Sequence, residues 1–208
     1  MVSRSDLSNG YDALAQVFVR ARNQRIGPET VRKWSGLLAS DAVILDVACG
    51  FGEPITKVLV EQRFDVYAID ASVRMVEAFQ ARFPQVPVAC EAAEESSFFG
   101  RTFDGIVCWG LIFLLLPEMQ SRVIAKLAKA LKPGGRLLFT VSRKPARWND
   151  AMTEMQSESL GEAEYIRLLA ENGLELEGFD CDEGENDYLF ARRPSCKPST
   201  APPAPTGS

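Results

Sequence analysis

The stretch VILDVACGFGEP, residues 43–54, decides how the rest of the chain is read. Val43, Ile44, Leu45 and Val47 flank a single aspartate, Asp46. A run of apolar residues on consecutive positions reads as a strand buried on both faces, as in a parallel sheet. Asp46 then lies near the carboxyl end of that strand, where open α/β sheets bind their ligands. After it the side chains shrink through Ala48, Cys49, Gly50 and Gly52. Glycines there let a ligand reach the backbone, because no Cβ intervenes. A helix expected from Glu53 to Arg63 would add free N–H groups.

The pattern repeats on both sides of this stretch. Tyr11, Leu14, Phe18 and Ala21 recur at helical spacing over residues 9–23, and a second helix is expected from Pro28 to Leu38. After the opening strand and helix, DVYAID reads as a strand and Ser72 as the cap of the next helix, with Met75, Val76, Phe79 and Phe83 on one face. VPVAC and FDGIVCWG read as two more strands, Pro117 starts a helix, and LKPGG turns it into the strand RLLFTVS. A helix over 160–172 closes at Asn172-Gly173, and LELEGFDCD and NDYLFARR form a final antiparallel hairpin. The whole is a doubly wound, Rossmann-like α/β sheet with helices on both faces. Residues 1–40 are expected to cap the site, 41–193 to form the binding domain, and the Pro-rich 194–208 to be a disordered tail.

Composition removes several functions. The chain of 208 residues is long enough for one domain with a real core, its net charge is −5, and no basic block stands anywhere. That argues against nucleic acid or an anionic membrane as partner. The longest apolar run, Leu111 to Leu116 with Pro117 behind it, is too short to span a bilayer, and the N-terminal MVSRSDLSNG, without an apolar core, is not expected to be a signal peptide. Cys49, Cys90, Cys108, Cys181 and Cys196 contain no Cys-x-x-Cys pair and read as reduced thiols of a cytoplasmic protein. There is no histidine, hence no commonest general base and no commonest metal ligand. No metal site is expected.

The glycine spacing narrows the ligand. With the dinucleotide fingerprint placed on Ala48 and Gly50, its third glycine falls on Glu53, whose carboxylate would repel a pyrophosphate. A P-loop fails as well, since no Gly-Lys-Ser/Thr follows. The site therefore suits a ligand that is not strongly anionic. Asp70, at the end of the second strand, can accept from both hydroxyls of a ribose. Ala93-Glu94 after the third strand is placed to read an adenine edge, and Trp109-Gly110-Leu111 after the fourth to wall the ligand.

In these segments the chain resembles the class I S-adenosylmethionine-dependent methyltransferases, of small bacterial type. DVACGFG resembles their first motif on Asp46, Gly50 and Gly52, with Ala48 in place of the first glycine. YAID, AAEESSF, FDGIVCWG and LKPGGRLLFT follow in the same order, with Ala92 where an aspartate usually precedes the adenine-reading pair. The resemblance implies a seven-stranded sheet of order 3-2-1-4-5-7-6 with strand 7 antiparallel. It implies S-adenosyl-L-methionine as cofactor and S-adenosyl-L-homocysteine as product. The cofactor residues it implies are Asp46, Ala48, Cys49, Gly50, Gly52 and Pro54, then Asp70, Ala71 and Met75, then Ala93 and Glu94, and Trp109, Gly110 and Leu111.

The acceptor is expected to be a small molecule, methylated without metal by a monomer or homodimer. No DNA-methyltransferase Asn/Asp-Pro-Pro-Tyr/Phe follows the fourth strand, which reads CWGLIF. Tyr11, Asp150, Glu185 and Tyr188 are the candidate bases, and spacing favours none of them. The alternatives are a cofactor-binding sensor without catalysis, a protein methyltransferase, and a nicotinamide-dependent oxidoreductase, which Glu53 and the final hairpin disfavour.

Overall fold

A computed structural model describes residues 6–195. The predicted tail from residue 196 on, Cys196 included, lies outside them. The elements follow in the order α1 (Tyr11–Ala21), α2 (Pro28–Ser35), β1 (Val43–Val47), α3 (Ile55–Glu61), β2 (Asp65–Asp70) and α4 (Val73–Arg82). Then come β3 (Val88–Cys90), β4 (Phe103–Cys108), α5 (Pro117–Ala130), β5 (Leu131–Val141), β6 (Ala146–Asn149) and β7 (Gln156–Ser159). The chain ends with α6 (Glu162–Glu171), β8 (Glu175–Cys181) and β9 (Asp187–Arg192).

Seven strands form one sheet in the order β3-β2-β1-β4-β5-β9-β8. Its first five strands are parallel, and β9 runs antiparallel between β5 and β8. This is the expected order, with the final hairpin as strands 6 and 7 of the family's count. Successive residues of a strand serve opposite faces. Leu45, Val47, Leu137 and Phe139 join the core under α5 and α6, whereas Ile44, Val107 and Leu138 join the core under α2 and α3. Helix α5 buries Val123, Ile124, Leu127 and Ala128, spaced for one helical face. Each large one of these contributes about 1.5–3 kcal/mol by burial.

Three differences from the sequence reading bear on the site, beside shifts of a few residues at other element ends, such as α2 ending at Ser35 rather than Leu38. Helix α3 starts at Ile55 rather than Glu53, so Glu53 and Pro54 belong to the turn. Strand β5 is counted from Leu131, with an irregular register against β4 across the Gly134-Gly135 turn. Strands β6 and β7 form a separate two-stranded sheet that the sequence reading lacks. A buried network fastens it to α5. Gln120 donates through Nε2 to the carbonyls of Leu115 (2.9 Å) and Glu158 (2.7 Å) and accepts from the Tyr165 hydroxyl at 2.8 Å.

Candidate functional site

The sheet order reverses at β1, which pairs with β2 on one side and β4 on the other. A cavity of about 220 Å³ opens beyond the carboxyl ends of these strands. That is where an open α/β sheet binds ligands. Twelve predicted cofactor residues border it: Asp46, Ala48, Cys49, Gly50, Asp70, Ala71, Met75, Ala93, Glu94, Trp109, Gly110 and Leu111. Gly52 and Pro54 do not.

The two glycines of the first motif serve different neighbours. At Gly50 (φ +55) an added Cβ would find only Phe18 Cε1, at 4.0 Å. At Gly52 (φ +87) it would stand 2.4 Å from Phe83 and 3.0 Å from Phe79. Gly50 therefore keeps space open toward the cavity. Gly52 lets α4 close against the turn.

Asp46 is buried, and its Oδ2 accepts the Thr56 hydroxyl at 2.6 Å. Burial pushes its pKa up to about 7; the Thr56 bond opposes this and Asp70 adds to it. Asp70 ties the site together. It accepts the backbone N–H of Gly50 through Oδ2 and of Ser72 through Oδ1, both at 2.8 Å. Each oxygen keeps acceptor capacity for a further donor. Burial raises its pKa, and the two N–H bonds oppose that. Cys49 is buried beside both carboxylates, and burial raises its pKa, so it stays a thiol.

The roof comes from elsewhere in the chain. The Tyr11 hydroxyl donates to Asp150 Oδ2 at 3.0 Å, linking α1 to the turn after β6. Asp150 Oδ1 accepts from Met152 N–H, Thr153 N–H and the Thr153 hydroxyl at 2.8–3.0 Å. Asp12 Oδ1 accepts the Ser72 hydroxyl at 2.7 Å and Arg74 N–H at 3.0 Å, pinning α1 to α4. Helix α2 is no part of this roof. Its Val31 and Trp34 pack with Ile55, Val58 and Leu59 of α3.

Of the four candidate bases, the structure brings Tyr11 and Asp150 to the cavity. Burial, then Asp150, raises the Tyr11 pKa, so its hydroxyl remains a donor. Tyr188 is fully buried away from the cavity lining and donates to Asp182 Oδ2 at 2.7 Å; burial and Asp182 raise its pKa. Glu185 is exposed at the β8–β9 turn. These two are not brought to the cavity.

Sequence reasoning missed several lining residues, chiefly Asn9, Arg22, Phe51, Thr140 and Asn186. Arg22 follows α1 and stacks on Trp109, its guanidinium carbon 3.9 Å from the ring centroid. It has no ion-pair partner among the described residues. Burial lowers its pKa, while Tyr188, Asp182 and Tyr11 oppose that. A cation one residue past an amphipathic helix carries no sequence signal of its own. Among the described residues no group of three or more Cys, Asp or Glu is placed to hold a metal, and no helix is long and apolar enough to cross a membrane.

Comparison with known proteins agrees with this geometry. The family model of a methyltransferase domain matches residues 44–135. An uncharacterised methyltransferase of Mycobacterium bovis is 30% identical over 135 residues, which is 65% of this chain and 53% of that protein. The chain thus spans about half the length of this curated relative. A demethylmenaquinone methyltransferase of Renibacterium salmoninarum is 26% identical over 158 residues, 69% of this chain and 65% of that one. Among solved structures, the S-adenosylmethionine-bound amino pentose methyltransferase CalS10 of Micromonospora echinaspora superposes with a TM-score of 0.68. The match covers 87% of this chain and 96% of that one at 16% identity, a likeness of fold. The matched segment runs from β1 into the start of β5, so this part of the chain is a methyltransferase domain, and the strand order around the cavity is that of the class I S-adenosylmethionine-dependent methyltransferase fold.

Proposed function

We propose that this chain transfers a methyl group from S-adenosylmethionine to a small organic acceptor, without a metal. The observation that carries the reading is the composition of the cavity. It combines a backbone cradle at Gly50, a carboxylate at the end of β2, and one cation, Arg22, with no ion-pair partner among the described residues. Those groups fit the cofactor part by part. Asp70 would accept ribose hydroxyls, Arg22 would hold a carboxylate, and Gly50 leaves room for the amino-acid chain. The bound cofactor supplies a methyl group on a positively charged sulfur, which departs as a neutral thioether and needs no acid.

What remains for the protein is alignment and exclusion of water. Trp109, Gly110 and Leu111 wall the cavity, and Phe113 and Leu114 continue the wall on the apolar side. Phe113 is itself held by Trp148 of β6, with ring centroids 5.4 Å apart. A hydroxyl or ammonium acceptor must lose a proton. In this reading the proton goes to Asp150, and what supports it is that its Oδ1 is filled by three donors and its Oδ2 by Tyr11 alone. The roof supports a small acceptor, because a polypeptide would have to displace α1 and the β6–β7 turn. The name of the demethylmenaquinone relative points the same way.

The test is a parallel calorimetric titration with S-adenosylmethionine, S-adenosylhomocysteine and NADH. Micromolar binding of the first two and none of the third is expected. Binding of NADH alone would overturn the reading. A metabolite extract with labelled cofactor then separates an enzyme from a sensor, and labelling of lysate proteins instead would show a protein acceptor.

A further inference from the structure

The turn that leads into α1 is built from its own side chains. Asp6 Oδ1 accepts the N–H and the hydroxyl of Ser8, at 2.9 and 2.6 Å, and its Oδ2 accepts Gly10 N–H at 2.9 Å. The Ser8 oxygen in turn accepts Asp12 N–H at 3.1 Å. Asn9 stands in the middle of this turn, and its side chain takes no part in these bonds. It is 3% exposed and borders the cavity. Its Oδ1 has no hydrogen-bond partner among the described residues.

The turn explains the backbone of Asn9 but not its amide. At φ +54 the residue is left-handed, a conformation that asparagine tolerates better than most. Glycine would meet that need more easily. A buried carbonyl oxygen without a donor costs about 1–3 kcal/mol, and native structures rarely leave one so. The cost is relieved if a ligand in the cavity supplies the donor. Leu7, in the same turn, borders both this cavity and an adjoining one lined by Ala71, Cys90 and Glu91 at the ends of β2 and β3. The turn therefore lies along the cofactor's path.

We propose that Asn9 is a cofactor-binding residue whose side-chain oxygen accepts a hydrogen bond from an N–H or O–H of bound S-adenosylmethionine. This rests on the cofactor assignment made above. It makes the N-terminal turn part of the binding site and not merely a cover over it.

The experiment compares wild type, Asn9→Gly and Asn9→Asp by calorimetry with S-adenosylhomocysteine and 5′-methylthioadenosine, alongside thermal unfolding. Asn9→Gly frees the backbone and is expected to keep or raise the unfolding midpoint, while binding S-adenosylhomocysteine about tenfold more weakly. Asn9→Asp keeps an acceptor oxygen at the same place and should bind within about threefold of wild type. Loss toward both ligands puts the donor on the adenosine half; loss toward S-adenosylhomocysteine alone puts it on the amino group. Unchanged affinity in Asn9→Gly overturns the proposal, above all if its unfolding midpoint falls, since Asn9 would then serve only the turn. A wild type that binds neither ligand removes the cofactor assignment itself.

Discussion

The floor and the roof of the cavity are made in different ways. The floor is the Ala48–Gly50 turn with Asp70, joined by one short bond between residues 20 apart. The roof is α1 with the turn after β6, joined by Tyr11 and Asp150, residues 139 apart. The floor depends on backbone demands: left-handed φ at Ala48, Gly50 and Gly52, and room where a Cβ would intrude. The roof depends on side chains meeting across the fold. Backbone demands restrict residue type and so mark the sequence, whereas a distant side-chain contact leaves Tyr or Asp looking like any other.

The sharpest way to test the floor is to separate its two glycines. Gly52→Val puts a branched side chain into Phe83 and Phe79 at a left-handed position. It is expected to cost about 3–6 kcal/mol of stability, enough to show as a lost or strongly lowered urea midpoint. The Cβ of Gly50→Val meets only Phe18, at 4.0 Å, so at that atom the substitution carries backbone strain without a clash. It should cost about 1–3 kcal/mol, remain folded, and lose S-adenosylhomocysteine in calorimetry. Equal effects of the two on stability would erase the distinction between a packing glycine and a cavity glycine.

Asp46 tests the floor electrostatically. Its folded pKa of about 7 lies above the ordinary 3.8, because burial disfavours the charge. The folded state therefore holds a proton that the unfolded chain releases, and wild-type stability falls as pH rises through this window. Asp46→Asn removes the titration while its carbonyl oxygen still accepts from Thr56. It is expected to be more stable than wild type at pH 8 by about 2–4 kcal/mol, with the gain vanishing near pH 4. Urea unfolding at the two pH values reads this directly. An ionised Asp46 also favours a cationic ligand, so affinity for S-adenosylmethionine should rise from pH 6 to 8 in wild type and stay flat in the variant.

The same contrast explains what the sequence disclosed. The alternation of strands and helices followed from continuous apolar strands, the helix starts at Ser72 and Pro117, and the antiparallel ending, whereas the order of the strands came from the resemblance to a known family. Gly50, Asp70 and Trp109 were legible because their places at strand ends follow from that alternation. Gly52 was visible as a glycine but not as a packing glycine, since Phe83 reaches it only after α4 folds back. The β6–β7 pair was missed because its strands are four residues each and carry little apolar alternation. Asn9 and Arg22 were missed for a different reason. The roles proposed for them rest on a hydrogen-bond partner that Asn9 Oδ1 lacks and an ion-pair partner that Arg22 lacks among the described residues, and a missing partner is a property of three-dimensional structure alone.

The roof is tested by one atom. Tyr11→Phe deletes the hydroxyl and leaves the ring edge-on to Phe18, whose centroid is 5.5 Å away. Asp150 keeps its three Oδ1 donors, so the turn after β6 should survive. The expected loss is about 0.5–1.5 kcal/mol, the worth of one hydrogen bond, seen as a lowered unfolding midpoint. Hydrogen exchange should rise in α1 and at residues 150–155, with the strands of the main sheet unchanged. Exchange rising evenly through the sheet would mean that roof and floor fold as one unit.

The smallest effect falls on the one residue where the floor departs from its own pattern. Ala48 is left-handed at φ +60 without being glycine, a cost of roughly 1–2 kcal/mol for an L-residue. Ala48→Gly removes that cost. Against it stand the greater freedom of glycine in the unfolded chain, about 0.5–1 kcal/mol, and the loss of a methyl that packs against the core under α5. The strain exceeds the entropy only slightly, so the variant is expected to gain up to about 1 kcal/mol, a rise of about 1–4 °C in unfolding midpoint. Cofactor affinity should not change, because backbone conformation is kept and only a methyl is removed. A net loss of stability would mean that the Ala48 methyl does more in the core than its conformation costs. The floor would then be set by packing as well as by backbone, and its distinction from the roof would narrow to the distance between the residues that meet.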